Sequence, residues 1–267
     1  MDQRPIGSSD IRVSAIGLGT VKFGRNTNVK YPHAFALPDD SAIVALLNEA
    51  RELGINLVDT SPAYGTSEAR LGTLIPGARE DWVIVSKAGE CYSDGCSTYD
   101  FSPQQMHASV KRSLQRLRTE YLDAILIHSD GSDCAIVESS GALEALQELK
   151  RSGMVRLVGM STKTVAGGLA AVNAGCDVLM VEYSVDNASQ QPVLDACTEA
   201  GAGVLVKKAL GSGRLVDGPS SSQRPGESLD PGRALRPILS QPAVSSIIVG
   251  TINIDHLRQN VQAIRQD

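Results

Sequence analysis

The chain alternates between short apolar runs and longer segments with helical periodicity. The apolar runs show no alternation with polar residues, which is typical of strands covered on both faces. They predict strands over residues 16–19, 55–58, 82–86, 122–127, 155–160, 178–181, 203–206 and 244–249. Apolar residues spaced along one face predict helices over residues 41–53, 67–74, 103–117, 141–151, 165–174, 192–200, 233–239 and 255–264.

Each of these eight strands is followed by a helix, a pattern that indicates an α/β protein with a parallel sheet. Eight units in 267 residues favour a closed (β/α)8 TIM barrel as one domain over residues 1–267. The alternative is an open doubly wound sheet, whose glycine-rich turn would need a third glycine that the segment from Gly17 to Lys22 lacks. Residues 6–13 resemble a β-hairpin, which we expect to close the bottom of the barrel.

Three long connections, 22–38, 88–101 and 211–231, follow the first, third and seventh predicted strands. They therefore lie on the carboxyl-terminal face of a barrel, where active sites of this fold are found. Four aromatic residues in these connections are candidates for the walls of a substrate pocket: Phe23, Tyr31, Phe35 and Tyr92. Only 4% of the residues are aromatic, which favours a small polar or sugar-like substrate.

Composition excludes several classes of function. The net charge of −5 does not indicate a basic face for nucleic acid. No apolar run approaches the length of a membrane span. The amino-terminal residues lack an apolar signal core, so we expect a cytoplasmic protein. The five cysteines include no CxxC pair, so we expect reduced thiols and no metal site. The oligomeric state stays open.

Four ionisable side chains stand at or just after the ends of three consecutive predicted strands: Asp59, Tyr64, Lys87 and His128. A single strand-end lysine can simply extend to solvent, but four such groups on neighbouring strands favour a shared site. Asp59 could hold Lys87 charged, and the ammonium would then lower the pKa of Tyr64. With His128 donating a hydrogen bond to the same substrate oxygen, Tyr64 would protonate a carbonyl as it is reduced.

The segment from Gly54 to Gly72 reads Gly-x-x-x-x-Asp-Thr-Ser-x-x-Tyr-Gly-x-Ser-Glu-x-x-Leu-Gly and resembles the aldo-keto reductase family. Lys87 and His128 fit the two other catalytic positions of that family. The resemblance implies a (β/α)8 barrel that binds NAD(P)H and reduces an aldehyde or ketone to an alcohol, or catalyses the reverse. It implies that Tyr64 is the general acid, that Lys87 lowers its pKa, that Asp59 orients Lys87, and that His128 orients the carbonyl.

The resemblance also marks positions for the cofactor. The implied cofactor-binding residues are Gly19, Thr20, Asp59, Ser161, Thr162, Met180, Lys207, Leu210, Gly211, Ser212, Gly213, Gly250, Thr251, His256 and Asn260. Three of them depart from the family pattern: Thr162 replaces an asparagine, Met180 a glutamine, and Lys207 an aromatic residue that stacks on nicotinamide. Gly250 and His256 stand where many members place a lysine and an arginine, which weakens the charge case for the 2′-phosphate of NADP. Family frequency favours NADP(H) slightly, and NAD(H) stays open.

Other interpretations remain at this stage. Lys207 could contact a phosphate or carboxylate, could be solvated, or could form a Schiff base as in a lyase. The departures at Met180 and Lys207 are also compatible with a regulatory subunit that binds cofactor and turns over little. Asp130 and Asp133 could suggest a metal, although a polar loop explains them better. We expect structural roles for His33, His107 and Glu182.

Overall fold

The computed structural model describes residues 1–29, 31, 33–211 and 230–265. An antiparallel hairpin of β1 (Gln3–Pro5) and β2 (Arg12–Ser14) precedes the barrel. The closed barrel consists of eight parallel strands, and its last strand pairs with its first. They are β3 (Ile16–Gly19), β4 (Leu57–Asp59), β5 (Val83–Ala88), β8 (Leu122–His128), β9 (Val155–Ser161), β10 (Val178–Glu182), β11 (Gly203–Lys207) and β12 (Val244–Val249). The predicted TIM barrel is thus confirmed.

Helices surround the barrel in the described part of the chain. They are α1 (Asp40–Glu52), α2 (Ser67–Leu74), α3 (Pro103–Leu117), α4 (Asp133–Ser139), α5 (Ala142–Arg151), α6 (Val165–Asn173), α7 (Gln191–Ala200), α8 (Pro231–Leu239) and α9 (Ile254–Arg265). Side-chain caps define several starts: Asp39 accepts from Ala42 N at α1, and Ser102 accepts from Gln105 N at α3. Within the described residues, no helix combines the length and apolar character needed to cross a bilayer.

The amino-terminal hairpin closes the bottom of the barrel, as expected. β1 lies just before the predicted range, β2 overlaps its end, and residues 6–11 form the turn between them. Ile6, Ile11 and Val13 of this hairpin are buried in one cluster with the inward-facing side chains of the barrel strands. Gly7 packs so closely against the start of β11 that a Cβ would lie 2.4 Å from Gly201 O. Within the described residues, the lower half of the barrel interior is therefore a packed core, and the carboxyl-terminal face is the side open to a ligand.

The connection after β5, predicted as a long loop, is folded into a hairpin. Its strands are β6 (Glu90–Ser93) and β7 (Cys96–Tyr99). Asp94 and Gly95 form the turn with φ of 51° and 81°, the left-handed geometry of an Asp-Gly hairpin. That dipeptide was the signal in the sequence that could have revealed it.

The β6–β7 hairpin is tied to the connection between β3 and α1. Tyr92 Oη lies 2.6 Å from Thr27 Oγ1, and Asn28 Nδ2 donates to Gly95 O at 2.7 Å. The guanidinium of Arg25 stacks 3.6 Å from the centre of the Tyr92 ring. Two of the long connections thereby form one wall above the barrel.

Candidate active site

A cavity of about 940 Å³ opens at the carboxyl-terminal ends of the barrel strands. Asp59, Tyr64, Lys87 and His128 all line it, so the structure brings together the four predicted catalytic residues. Six of the lining side chains are cationic, namely Lys22, Arg25, Lys87, Lys163, Lys207 and Lys208. The acidic lining residues are Asp59, Glu90 and Glu182. In a chain of net charge −5, this mouth concentrates positive charge and suits an anionic ligand.

Asp59 and Lys87 form a buried ion pair at the floor of this cavity. Lys87 Nζ lies 2.5 Å from Asp59 Oδ1 and also donates to Thr60 O at 2.9 Å. Both side chains are almost fully enclosed, with exposed fractions of 1% and 4%. Asp59 is delivered by the end of β4 and Lys87 by the neighbouring β5, whose residues pair in parallel register. The pair gives the ammonium a fixed position directly under the site.

Tyr64 is held above this pair by a 3-10 turn over Pro62–Tyr64. Ser61 caps the turn by accepting from Ala63 N, and Gly65 leaves it with φ of 62°. The ring centre of Tyr64 lies 4.8 Å from Lys87 Nζ. Burial raises the pKa of Tyr64 well above 10, and the negative charges of Asp59 and Glu90 raise it further. This direction differs from the acidification expected from the sequence, because burial and two carboxylates outweigh nearby cations such as Arg25.

The motif residues after Tyr64 fix the next helix to the barrel. Ser67 Oγ lies 3.0 Å from Thr60 Oγ1 and donates to Thr20 O at 2.9 Å. The fully buried Glu68 accepts from Ser86 Oγ at 2.7 Å. These two residues therefore support the turn that carries Tyr64 and do not reach the cavity themselves.

His128 stands at the end of β8, opposite Tyr64. The two rings meet edge to face, with centres 6.3 Å apart and planes at 88°. His128 Nδ1 lies 2.9 Å from Glu90 Oε2. Burial lowers the pKa of His128, and the charges of Lys87 and Lys207 lower it further, although the contact with Glu90 opposes them. At neutral pH the ring is therefore uncharged.

Glu90 is a further residue of the site, and no pattern in the sequence indicates it. It is buried at the start of β6, and its other oxygen accepts from Ser97 Oγ at 2.6 Å. Burial raises the pKa of Glu90, but hydrogen bonds from His128 and Ser97 and the charges of His128 and Arg25 outweigh it and set the value at about 2. Other polar lining residues, among them Arg25, Tyr99 and Gln190, were not singled out either.

Lys207 extends from the end of β11 into the part of the cavity where nicotinamide would lie by the family resemblance. Its Nζ donates to Ser161 Oγ at 2.9 Å and to Thr162 O at 3.0 Å. Burial lowers its pKa to about 8, and the charges of Lys208 and Lys87 act in the same direction. Lys207 is half-buried, and its amine is hydrogen-bonded to neighbouring residues of the cavity. Lys208 instead pairs with Glu182.

Most of the implied cofactor positions surround the same cavity. The lining residues among them are Gly19, Thr20, Asp59, Ser161, Thr162, Met180, Lys207, Leu210, Gly250, Thr251, His256 and Asn260. Gly211 does not line it, and Ser212 and Gly213 lie outside the described residues. Among the described residues, Thr162 Oγ1 is buried without a hydrogen-bond partner. An unsatisfied hydroxyl beside a lysine amine fits a polar group such as the carboxamide of a nicotinamide.

Several other expectations are settled by local contacts. Asp133 is buried at the start of α4, where its Oδ2 accepts from the backbone amides of Lys163 and Thr164. Its role is therefore to anchor α6, and it stands in a helix instead of the expected polar loop. Phe23 is wrong as a pocket wall, because it is fully buried in the core. His107 pairs at the surface with Glu148, at 3.2 Å.

Comparison with known proteins establishes the family. The aldo/keto reductase family matches residues 15–232, and the chain belongs to this family of oxidoreductases. L-galactose dehydrogenase of Arabidopsis thaliana is 30% identical over 297 residues, covering 100% of this chain and 89% of that protein. NADH-specific methylglyoxal reductase of Escherichia coli is 28% identical, covering 81% of this chain and 69% of that protein.

Solved structures give the same result. The crystal structure of a putative aldo-keto reductase from Pseudomonas aeruginosa superposes with a TM-score of 0.84 at 44% identity. The match covers 98% of this chain and 96% of the other. Aldo-keto reductases use nicotinamide cofactors.

Proposed function

We propose that this protein is an NAD(P)H-dependent oxidoreductase that reduces a small aldehyde or ketone to an alcohol, or catalyses the reverse reaction. The observation that carries the proposal is the buried pair of Lys87 and Asp59 directly beneath Tyr64. A buried charge pair costs desolvation free energy, so its position under a single phenol is best explained by the chemistry of that phenol.

Tyr64 acts as the proton donor. Because its pKa is raised well above 10, the phenol is fully protonated at neutral pH and holds a proton ready to donate. A carbonyl oxygen becomes strongly basic as its carbon is reduced, so the proton moves from Tyr64 Oη to that oxygen. Lys87 has three N–H donors, of which Asp59 and Thr60 take two within the described residues. The third is available to stabilise the phenolate of Tyr64 that forms.

The cavity offers a place for each end of a dinucleotide. A reduced nicotinamide, when bound, supplies the two electrons and the hydrogen that the carbonyl carbon gains. Ser161, Thr162 and Lys207 would hold its carboxamide, with the Lys207 ammonium replacing the donor that Met180 lacks. Gly250 and Thr251 would hold the adenosine phosphate at the start of α9, and Asn260 would meet the adenine.

For the choice between NADP(H) and NAD(H), we propose NADP(H) first, as the more frequent cofactor of the family. His256 in the first turn of α9 lines the cavity. Arg258 on the same helix is engaged elsewhere, because its guanidinium binds Glu49 through two contacts of 2.8 and 2.7 Å. Since one relative is a NADH-specific reductase, NAD(H) is tested in parallel.

A small polar substrate fits the lining of the cavity, in which charged and hydroxyl groups outnumber aromatic rings. The relatives include an L-galactose dehydrogenase and a methylglyoxal reductase, whose names also indicate small oxygen-rich substrates. We therefore propose hydroxylated aldehydes, dicarbonyls and sugars as the first compounds to test.

The experiment is a panel of such carbonyls and alcohols assayed with both cofactors, in the wild type and in Tyr64→Phe. We expect Tyr64→Phe to lower kcat by about 10²–10⁴-fold, the usual contribution of a general acid, while nucleotide emission shows unchanged cofactor binding. Tyr121→Phe is the matched control, because Tyr121 packs against Arg79 outside the cavity. Full turnover in Tyr64→Phe would refute the role of Tyr64.

Two other functions have a structural observation in their favour. Met180 and Lys207 depart from the nicotinamide contacts that are usual in the family. Such departures are compatible with a regulatory subunit that binds nucleotide without turnover. The half-buried amine of Lys207, with a pKa lowered to about 8, also has the character of a Schiff-base lysine. Nucleotide binding with no activity across the panel would favour the first, and a borohydride-trapped substrate adduct on Lys207 the second.

A further inference from the structure

The contact between Glu90 and His128 determines which ring nitrogen carries the proton. Glu90 Oε2 lies 2.9 Å from Nδ1, and Ser97 Oγ donates to the other oxygen at 2.6 Å. Arg25 Nη1 lies 3.8 Å from Oε1. An ionised carboxylate can only accept hydrogen bonds, so the hydrogen between Glu90 and His128 belongs to Nδ1.

The position of Glu90 is built into the backbone. Gly89 turns the chain between β5 and β6 with φ of 107°, and a Cβ there would lie 2.6 Å from the Phe101 ring. Asp100 N donates to Gly89 O at 2.9 Å, which closes the base of the β6–β7 hairpin. The hairpin thus places a buried carboxylate beside a histidine that is 38 positions away in the chain (128 minus 90).

The surroundings of His128 favour the neutral ring. Burial disfavours a positive charge on it most, and the charges of Lys87 on β5 and Lys207 on β11 act in the same direction. Glu90 on β6 is the group that opposes them. Tyr64 contributes an edge-to-face contact, and Ser61 Oγ lies 3.5 Å from Nδ1. A neutral ring with its hydrogen on Nδ1 carries a lone pair on Nε2, the nitrogen left for a ligand in the cavity.

We propose that Glu90 is a positioning residue that fixes His128 as the Nδ1–H tautomer, so that Nε2 receives a hydrogen bond from a hydroxyl of the ligand. When the His128 ring is neutral, the site then recognises the alcohol or hemiacetal form of a substrate. The O–H of that form donates to Nε2, and its oxygen accepts from Tyr64. A carbonyl oxygen has no hydrogen to offer and meets a donor at Nε2 only when His128 is the imidazolium. The consequence for substrates rests on the proposed function, whereas the tautomer itself does not.

The direct test is the ¹⁵N spectrum of the histidine side chains in the ligand-free protein, followed over pH. The chain has four histidines, and the signals of His128 are those lost in His128→Asn. In the wild type at neutral pH we expect Nδ1 to resonate as a protonated nitrogen and Nε2 as an unprotonated one. A protonated Nε2 in the neutral ring would overturn the inference, even if the enzyme is an active reductase.

Glu90→Gln removes the charge and keeps the size of the side chain. We expect the tautomer preference of His128 to be lost or reversed, and its pKa to fall by about one unit or more, because the imidazolium loses its counter-ion. Glu148→Gln is the matched control, because Glu148 forms the surface pair with His107. It should shift the signals of His107 and leave those of His128 in place. Unchanged His128 signals in a folded Glu90→Gln protein would contradict the role of Glu90.

Steady-state kinetics over pH provide a second test. In the wild type, kcat/KM for a carbonyl should fall as pH rises through the pKa of His128, whereas KM for an alcohol should decrease over the same pH range. Glu90→Gln should move both of these pH-dependent changes to lower pH, which a purely structural role would not do. Correct spectra with no turnover on any compound would refute the proposed reductase and leave the tautomer inference standing.

Discussion

Lys207 Nζ donates to Ser161 Oγ across 2.9 Å, so a side chain from β11 reaches β9 over the strand between them. The residue it passes is Met180 of β10, which pairs in register with Ser161 on one side and Leu205 on the other. A lysine here places a titrating ammonium at the position of a neutral ring in the family pattern. Binding at this end of the cavity should therefore depend on pH.

We expect cofactor affinity to decline as pH rises through about 8, the pKa of Lys207. Below that value the amine is charged and can donate to a carboxamide oxygen, and above it the charge is lost. If binding requires the ammonium, the dissociation constant of NADPH or NADH should rise about tenfold between pH 7 and pH 9. Titrations followed by nucleotide emission measure it.

Lys207→Arg and Lys207→Met separate charge from packing. The arginine variant keeps its charge over the whole range, so its affinity should not change between pH 7 and pH 9. The methionine variant should bind the cofactor weakly, with the same affinity at pH 7 and pH 9. An unaltered pH dependence in Lys207→Met would assign the titration to another group.

Lys87→Met should destabilise the fold as well as abolish turnover. It leaves the carboxylate of Asp59 buried without its partner, which typically costs about 3–5 kcal/mol of the free energy of unfolding. Urea denaturation measures the loss. Adding Asp59→Asn should restore part of it, because the uncompensated charge is then removed.

The control for this prediction is Lys150→Met, which breaks a more exposed pair with Asp177. Its cost should be about 1 kcal/mol or less, as is usual for pairs near the surface. Equal losses in Lys87→Met and Lys150→Met would contradict the importance of burial.

His256→Arg should increase the preference for NADPH over NADH. It introduces a guanidinium into the first turn of α9, where the resemblance places the adenosine phosphate. A charge-assisted contact with the 2′-phosphate should tighten NADPH about tenfold and leave NADH nearly unchanged. Arg258→Gln is the control and should leave the ratio unaltered, because Arg258 binds Glu49 and Asp255.

Glu90 should contribute stability that is lost in acid. Its pKa is about 2 in the folded protein against an ordinary value of 4.5, so the folded state favours the ionised form. The stability advantage of the wild type over Glu90→Gln should therefore be full above about pH 4.5 and should decline as pH falls towards 2. Urea denaturation of both proteins at several pH values measures this difference. A constant difference over that range would show that the carboxylate charge contributes nothing.

Patterns of neighbouring residues in the sequence predicted the barrel strands and the residues at their ends. The apolar runs identified the barrel strands, and the spacing of Asp59, Tyr64, Lys87 and His128 identified one shared cavity. Contacts between distant segments were not readable in this way. Glu90 follows Lys87 by three positions, yet its partner His128 lies on another strand, and no periodicity connects them. The pKa direction of Tyr64 also depends on burial, which the sequence does not quantify.

The wall formed by the β6–β7 hairpin and the connection after β3 has a consequence for how this enzyme can diversify. Arg25, Thr27 and Asn28 on one segment bind Tyr92 and Gly95 on the other, and Glu90 at the base of the hairpin contacts His128. If Glu90 has the positioning role proposed above, a change in either segment should alter the protonation of His128. The two segments should therefore vary together among homologues, and a chimera that exchanges only one of them should inherit a mismatched histidine.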